Sequence, residues 1–190
     1  MNAIGSGVPQ NDETACKLLR AAAQQGNAQA KNLLWALLQS QRVEPNTDQE
    51  EREWIRAAAE TGDPEAQTRY GDLWFIGKNV PVHLTHFSRE RMALFWYLKA
   101  GRQGHPRGQY QLAQMFSRGD GVETNLEKAF FWASLAARQN IQGASDLQKN
   151  LRDKMSTAQL SQAKRAVDKV DARVQDRESR QVLYLPPLIN

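Results

Sequence analysis

The chain has 190 residues, of which 41% are hydrophobic and 24% are charged, which is the composition of a folded domain rather than a disordered segment. No apolar run approaches the roughly 20 residues that a membrane-spanning helix needs, and a net charge of +4 is too small to favour nucleic acid as a partner. The single cysteine, Cys16, excludes an intramolecular disulfide and is expected to be a small buried side chain.

A pattern of one large apolar residue followed by mainly small residues and a helix-ending residue recurs four times. In chain order the four sets are Leu18, Ala21, Ala22 and Gly26; Trp54, Ala57, Ala58 and Gly62; Trp96, Lys99, Ala100 and Gly104; and Trp132, Leu135, Ala136 and Asn140. Their leading residues are 36, 42 and 36 positions apart. Internal periods of this length predict a solenoid of helical hairpins, whose extended surface favours binding over catalysis.

The N-terminal residues predict a turn without the helix that should precede it. Met1–Val8 aligns with Met115–Val122, so Met1 falls near the end of a first helix whose body is not in the sequence. Half a hairpin cannot bury its apolar face alone. We therefore expect an upstream helix, and possibly a signal peptide, in the natural protein.

The clearest repeat units begin at glycine- and proline-containing junctions. Gly62-Asp63-Pro64 and Gly104-His105-Pro106 each predict the end of one helix and the start of the next, because glycine suits a left-handed cap and proline suits a first helical turn. In the unit from Pro106, apolar residues at helical spacing predict the first helix, and a glycine-containing turn follows at 118–122. Thr124 or Asn125 is expected to cap the second helix.

Two units depart from this pattern. The unit from Ala30 to Gly62 has 39–46 in place of paired glycines, so a different turn is expected there. The unit from Pro64 has six extra residues between Val80 and Ala93, which predicts an enlarged loop at 81–89. That loop is either a tolerated surface insertion or a partner contact. Its two histidines lack further metal ligands, so no metal site is predicted.

The C-terminal part differs from the repeats. Ser156 and Gln159 form the sequence signature of a capping box, and an apolar seam follows it at spacings of 3, 4, 3 and 4 residues. The seam comprises Leu160, Ala163, Val167, Val170 and Val174. It predicts a helix that covers the end of the stack or pairs with another helix, and we favour the covering helix. The apolar tail at 182–189 is disordered, packs on the chain's own body or docks in a neighbour's groove.

The repeat pattern resembles the Sel-one-like repeat, a relative of the tetratricopeptide repeat. It reads Gly108-x3-Leu112-Ala113-x2-Phe116-x2-Gly119-x-Gly121-Val122-x6-Ala129-x2-Trp132-x3-Ala136-Ala137. The preceding unit carries Ala66, Tyr70, Gly71, Trp74, Gly77, Val80, Ala93, Trp96 and Ala100 at matching positions. The resemblance implies a right-handed all-α solenoid of helix-turn-helix repeats over residues 1–155, a capping helix at 156–178 and an extended tail at 179–190.

The resemblance also implies that a partner binds the concave face formed by the first helix of each hairpin. By analogy, the residues expected to contact a protein or peptide partner are Asn32, Thr68, Asp72, Phe75, Ile76, Tyr110, Gln114 and Arg118. The side chains in the enlarged loop that could add contacts are His83, His86 and Phe87.

Proteins with this repeat act mainly as non-catalytic adaptors in multiprotein complexes, so we expect no enzyme activity and no cofactor. Some relatives are immunity proteins that block secreted toxins, including phospholipase effectors of type VI secretion, and this is the alternative role. A remoter alternative is β-lactam binding or hydrolysis, although relatives described in that way carry a cysteine pair in each repeat. An upstream signal peptide would place the chain in a bacterial periplasm or envelope; otherwise the cytoplasm is expected. The sequence leaves the oligomeric state open.

Overall fold

A computed structural model describes the backbone of residues 12–77 and 85–182, with side chains over 14–77, at 85 and over 88–170. These stretches form nine α-helices and contain no strand. The helices are α1 (Asp12–Gln24), α2 (Ala28–Gln39), α3 (Asp48–Thr61), α4 (Pro64–Ile76), α5 (His86–Arg102), α6 (Pro106–Arg118), α7 (Leu126–Arg138), α8 (Ala144–Lys154) and α9 (Thr157–Val182). The predicted all-α class is confirmed. Along the described stretches, every helix is too short or too polar to cross a bilayer.

The chain divides into two compact units, residues 1–108 (unit 1) and 109–190 (unit 2). In unit 1 each helix packs against the next one along the chain, from α1 through α5. In unit 2 the second helix of the last repeat, α7, packs against both α8 and α9. Neighbours in sequence are therefore neighbours in space, as expected for helical hairpins.

The predicted junctions between hairpins are capped as the sequence indicates. Gly62 ends α3 in a left-handed conformation, and the Asp63 carboxylate accepts a hydrogen bond from the backbone N–H of Ala66 at 2.6 Å. Pro64 then occupies the first turn of α4, where it has no hydrogen bond to lose. At the start of α7, Asn125 is the N-cap, and its side chain accepts from the N–H of Lys128.

Two repeat positions have left-handed backbones in every unit in which they are described. At the end of the second helix they are Gly26, Gly62, Gly104 and Asn140, with φ of 87°, 108°, 87° and 58°. At the end of the first helix they are Gln41, Gly77 and Gly119, with φ of 58°, 81° and 87°. The unit that lacks paired glycines thus keeps the same backbone bend at a glutamine, an uncommon conformation for a residue with a side chain.

Aromatic side chains fill unit 1. Trp54 is almost completely buried, and the rings of Tyr70 and Trp96 meet edge to face with centroids 5.1 Å apart. The Arg52 guanidinium lies 5.0 Å from the ring centroids of both Tyr70 and Trp74. Cation–π interactions of this kind stabilise a buried cation among aromatic rings. Cys16 is buried in the same cluster, as the sequence predicted.

The Tyr97 ring of α5 packs directly on a glycine of α4. A Cβ atom built on Gly71 would lie 2.6 Å from Cε1 of Tyr97, a distance that carbon atoms do not reach without clashing. Tyr97 is 1% exposed, so its ring is enclosed by protein and cannot move aside. The aromatic ring therefore occupies the volume that any side chain at position 71 would need.

The C-terminal helix begins with the predicted capping box. The backbone N–H of Ser156 donates to Gln159 Oε1 at 3.0 Å, and the N–H of Gln159 donates to Ser156 Oγ at 3.3 Å. Ala163 and Val167 of the apolar seam are buried, and α9 packs on α7. The helix runs to 182, past the expected boundary at 178, and the tail at 183–190 lies outside the described residues.

Replacement of Gly71 by alanine should destabilise the protein, because the new methyl group would overlap the buried Tyr97 ring. Overpacking of this kind costs about 1–3 kcal/mol. Urea unfolding followed by circular dichroism measures the change in the free energy of unfolding. An unaltered midpoint in Gly71→Ala would show that the helices separate freely and that the contact does not constrain the fold.

Candidate protein-binding surface

Two helices of unit 1 carry matching stripes of residues at helical spacing. We define the α2–α4 face as Asn32, Leu33 and Ala36 of α2 with Arg69, Asp72 and Ile76 of α4. Leu33 and Arg69 are equivalent across the 36-residue repeat, as are Ala36 and Asp72. The Arg69 guanidinium lies 5.8 Å from the Trp35 ring centroid, which brings α4 against α2 at this face.

Ile76 is the most exposed large hydrophobic side chain in the described part of the chain, with 72% of its surface open to solvent. Leu33 is 40% exposed, whereas Phe75 is half-buried. Exposed aliphatic side chains at a helix surface are the kind of area that a partner can cover. Of the two apolar residues predicted on α4, Ile76 therefore offers the larger contact area.

Thr68 is fully buried, so in this conformation the side chain predicted to meet a partner lies inside unit 1. Its hydroxyl lies 2.9 Å from the Pro64 carbonyl oxygen and 2.8 Å from His105 Nδ1, and it donates its one hydrogen to one of these two acceptors. The backbone N–H of Gly108 donates to His105 Nδ1, at 3.3 Å, so His105 caps α6 as Asp63 caps α4. Thr68 thus connects one hairpin to the next.

The acceptor role of His105 Nδ1 determines which ring nitrogen carries the proton. Because Nδ1 accepts from the Gly108 N–H, the neutral ring carries its hydrogen on Nε2. His105 Nε2 lies 2.9 Å from Glu65 Oε2 and donates to it. This hydrogen bond is the main reason why the pKa of Glu65 lies below its ordinary value of 4.5, and burial opposes it in part.

The Asp72 carboxylate is held by two partners. The Tyr97 hydroxyl donates to Asp72 Oδ1 at 2.7 Å, and the Arg107 guanidinium forms an ion pair with Oδ2. Burial, followed by the charge of Asp72, raises the pKa of Tyr97, so the phenol stays protonated and keeps donating. Asp72 is therefore a fixed negative charge at the edge of the α2–α4 face rather than a mobile surface group.

Asn32 lies half-buried at the other edge of the face. Its Nδ2 atom donates to Thr61 Oγ1 at 3.2 Å. Its Oδ1 atom is buried and accepts no hydrogen bond from the described residues. A buried acceptor without a donor is unfavourable, so this atom lowers the stability of the fold.

The other predicted groove residues lie in unit 2. Tyr110 is half-buried, and its hydroxyl lies so close to Gly143 that a Cβ atom there would be 2.9 Å away. Gln114 is half-buried, and the exposed Arg118 lies 3.8 Å from the Asp120 carboxylate. The structure therefore brings the predicted residues together as two sets, one in each unit. That each set contacts a partner stays a prediction.

The loop residues predicted as possible contacts lie at the limits of what the structure describes. His83 falls outside the described residues, while His86 and Phe87 begin α5 with side chains outside them. Among the described side chains, no three histidine, cysteine, aspartate or glutamate residues come together as a metal site.

One feature of unit 2 was not predicted from the sequence. A cleft of about 330 Å³ lies between α7, α8 and α9, with Phe130 and Val167 among its lining residues. Lys164 and Arg138 contribute positive charge to the same cleft. These residues lie on three consecutive helices, and nothing in their sequence spacing indicated that they would line one cleft.

The helical hairpins and the binding-type surface place this chain in the class of helical-repeat proteins. The sequence model of the Sel1 repeat matches residues 1–27, 64–105 and 106–141, more than half of the chain, and the chain belongs to the Sel1 repeat family. The matched segments omit 28–63, the unit in which Gln41 replaces the turn glycine. Sel1 repeats generally mediate protein–protein interactions.

Solved structures support the same fold. The chain is similar over its whole length to a protective antigen of uropathogenic Escherichia coli that displays an SLR fold, with 26% identity and a TM-score of 0.66. It spans 40% of the length of that protein. A Sel1 repeat protein from Oxalobacter formigenes is 28% identical over 70% of this chain and 95% of its own length, with a TM-score of 0.55. These likenesses confirm the predicted α-solenoid class. A comparison with curated proteins gave no match.

Removal of the Tyr97 hydroxyl should destabilise unit 1 while preserving the ring that packs on Gly71. Tyr97→Phe deletes a hydrogen bond to a carboxylate, and such bonds contribute about 1.5–3 kcal/mol. The shift in the urea midpoint of the purified protein gives the loss. A variant as stable as the wild type would show that Arg107 alone is enough to hold Asp72.

Glu65 should make the free energy of unfolding of the protein depend on pH. A carboxylate with a lower pKa in the folded than in the unfolded chain stabilises the fold above the unfolded-state pKa. That contribution is lost as the pH falls through the folded-state value. We expect Glu65→Gln to be less stable than the wild type at neutral pH by under about 1 kcal/mol, since the side chain is more than a third exposed.

The difference between wild type and Glu65→Gln should shrink as the pH is lowered from 7 towards about 3. Thermal unfolding at a series of pH values measures it. Glu60→Gln is a matched control, because Glu60 forms only an exposed pair with Arg56 within its own helix. A pH profile shared by both variants would mean that the His105–Glu65 hydrogen bond adds nothing specific.

Proposed function

We propose that this chain is a non-catalytic interaction module that binds a partner protein or peptide on the α2–α4 face. The observation that carries the proposal is the exposure of Ile76 on a helix whose neighbouring polar groups are held in place. Family membership supports protein binding in general, and the geometry of this face supports its location.

The proposed surface is ordered before a partner arrives. Asp72 is held by Tyr97 and Arg107, and Asn32 is held by Thr61. Groups that are already immobilised lose little conformational entropy on binding, so more of the contact energy is available for affinity. Ile76 then supplies the apolar area that a partner can cover.

The chemistry of the face favours a partner with a small apolar ridge. Arg69 and the Arg107–Asp72 pair flank the apolar contact with charges, as polar rims flank many protein interfaces. Such rims contribute to orientation and association rate more than to affinity. We therefore expect the main loss of affinity to come from changes at Ile76.

A charge placed at Ile76 should abolish capture of the partner. The tagged wild-type chain and Ile76→Asp are used side by side to retain proteins from the source cells, with mass spectrometry of what each retains. A protein held by the wild type is then purified and titrated against both. Because a buried carboxylate must lose its hydration, we expect its affinity to fall by about a hundredfold or more.

Leu18→Asp is the matched control, since Leu18 is also an aliphatic side chain of unit 1 with 63% exposure, but on α1. It should retain the same partner with nearly unchanged affinity. Equal loss in both variants, or none in Ile76→Asp, would remove the α2–α4 face as the binding site. Both variants should melt close to the wild type, which separates lost binding from lost folding.

A further inference from the structure

The cleft of unit 2 has an apolar floor and a polar pair beside it. Phe130 of α7 and Val167 of α9 are each 4% exposed, and Ala137 adds a small apolar surface. Ser134 Oγ donates to the Phe130 carbonyl oxygen at 2.7 Å, and Gln148 Nε2 donates to Ser134 Oγ at 2.8 Å. No described residue donates to Gln148 Oε1, which is therefore an acceptor suited to a main-chain N–H.

A second hollow continues from the first. It has a volume of about 180 Å³ and shares Phe130, Gln148 and Lys164 with the larger cleft. Lys149 and Arg152 of α8 line this extension. The two hollows together form one groove, which we call the α8–α9 groove.

The charges that line the α8–α9 groove are unbalanced. Among the described residues that line it, the cations are Arg138, Lys149, Arg152 and Lys164, and the anion is Asp168. A positive rim around a desolvated apolar floor attracts negative charge more strongly than a flat, exposed surface does. The groove is therefore complementary to an apolar side chain flanked by carboxylates.

A hollow in unit 1 differs from the α8–α9 groove in the charges that line it. It has a volume of about 250 Å³ and is lined by Arg20, Glu50 and Glu53 among other residues. Arg20 Nε lies 3.1 Å from Glu50 Oε1, and Lys31 Nζ lies 2.8 Å from Glu53 Oε2. The described lining of that hollow has one cation and two anions, whereas the described lining of the α8–α9 groove has four cations and one anion.

We propose that the α8–α9 groove binds an acidic segment of a partner protein, with one aliphatic side chain on Phe130 and Val167 and carboxylates at the cationic rim. A volume near 330 Å³ is at the small end for ligand sites, so the groove accepts one or two side chains rather than a folded surface. Asp168 in the groove and Asp153 beside Arg152 interrupt the positive charge, which disfavours a nucleic-acid backbone.

This second site goes beyond the proposed function, because it lies in unit 2 and selects its ligand by charge. Its test uses neither Ile76 nor a cellular partner. A failure at the α2–α4 face and a failure at the α8–α9 groove are therefore separate results.

The probe is a fluorescein-labelled five-residue peptide with a central leucine and two glutamates on each side, titrated with the full chain by fluorescence anisotropy. We expect saturable binding that weakens as the salt concentration rises, since screening acts on rim charges. Replacement of the leucine by serine, or of the glutamates by glutamines, should weaken binding at least about tenfold. Absence of saturation below about 1 mM protein would overturn the proposal.

The decisive comparison is between two double charge reversals of equal charge change. Arg152→Glu with Lys164→Glu alters the groove and should weaken peptide binding at least about tenfold. Arg165→Glu with Lys169→Glu alters exposed cations of α9 that do not line the groove, and it should change affinity less than about twofold. All four positions are exposed, so both variants should fold, which their melting temperatures check.

Equal weakening by the two double variants would show that the peptide senses net charge alone, and the groove assignment would be wrong. Tighter binding of a DNA duplex or of anionic vesicles than of the peptide, lost in Arg152→Glu with Lys164→Glu, would reassign the groove to that ligand class and overturn the proposal as well.

Discussion

The contact between the Tyr97 ring and Gly71 sets the geometry of unit 1. Helices α4 and α5 come together at a position where a methyl group would already clash, and only this separation brings the Tyr97 hydroxyl within 2.7 Å of Asp72. Asp72 in turn holds Arg107 at the start of α6. Because Gly71 has no side chain, the Tyr97 ring can pack against it, and this packing places the charge of Asp72 at the edge of the α2–α4 face.

The junctions between hairpins are built from equivalent positions that use different chemistry. Asp63 caps α4 with a carboxylate, whereas His105 caps α6 with a ring nitrogen and uses its second nitrogen to bind Glu65. The histidine therefore performs the local role of the aspartate and also links two hairpins. Thr68 takes part in the same network, which explains why a position expected to face a partner is fully buried.

The two proposed surfaces depend on different physical effects. On the α2–α4 face, charges are paired and an exposed isoleucine supplies the area that a partner would cover. In the α8–α9 groove, apolar residues are already buried and the cation excess at the rim would supply selectivity. Apolar area contributes mainly to the lifetime of a complex, whereas complementary charge contributes mainly to the rate and choice of association.

The sequence by itself determined the repeat and its boundaries. Gly62-Asp63-Pro64, Asn125 and the Ser156–Gln159 capping box act within a few residues along the chain, so their conformations follow from local chemistry and were predicted. The residue motif that carries the resemblance to the family is local for the same reason, since each hairpin repeats the same pattern.

Only the tertiary structure decided which side chains of those helices remain at the surface. Thr68 meets His105 from 37 positions away, and Phe130 of α7 and Lys164 of α9 line the same cleft. A stripe at helical spacing shows which residues share a face of one helix, but not what the next helix places against it. Gln41 adopts a backbone bend that its residue type does not predict, because packing of the flanking helices outweighs a local preference of this size. Burial and charge pairing are properties of neighbours in space, and the linear order of residues does not contain them.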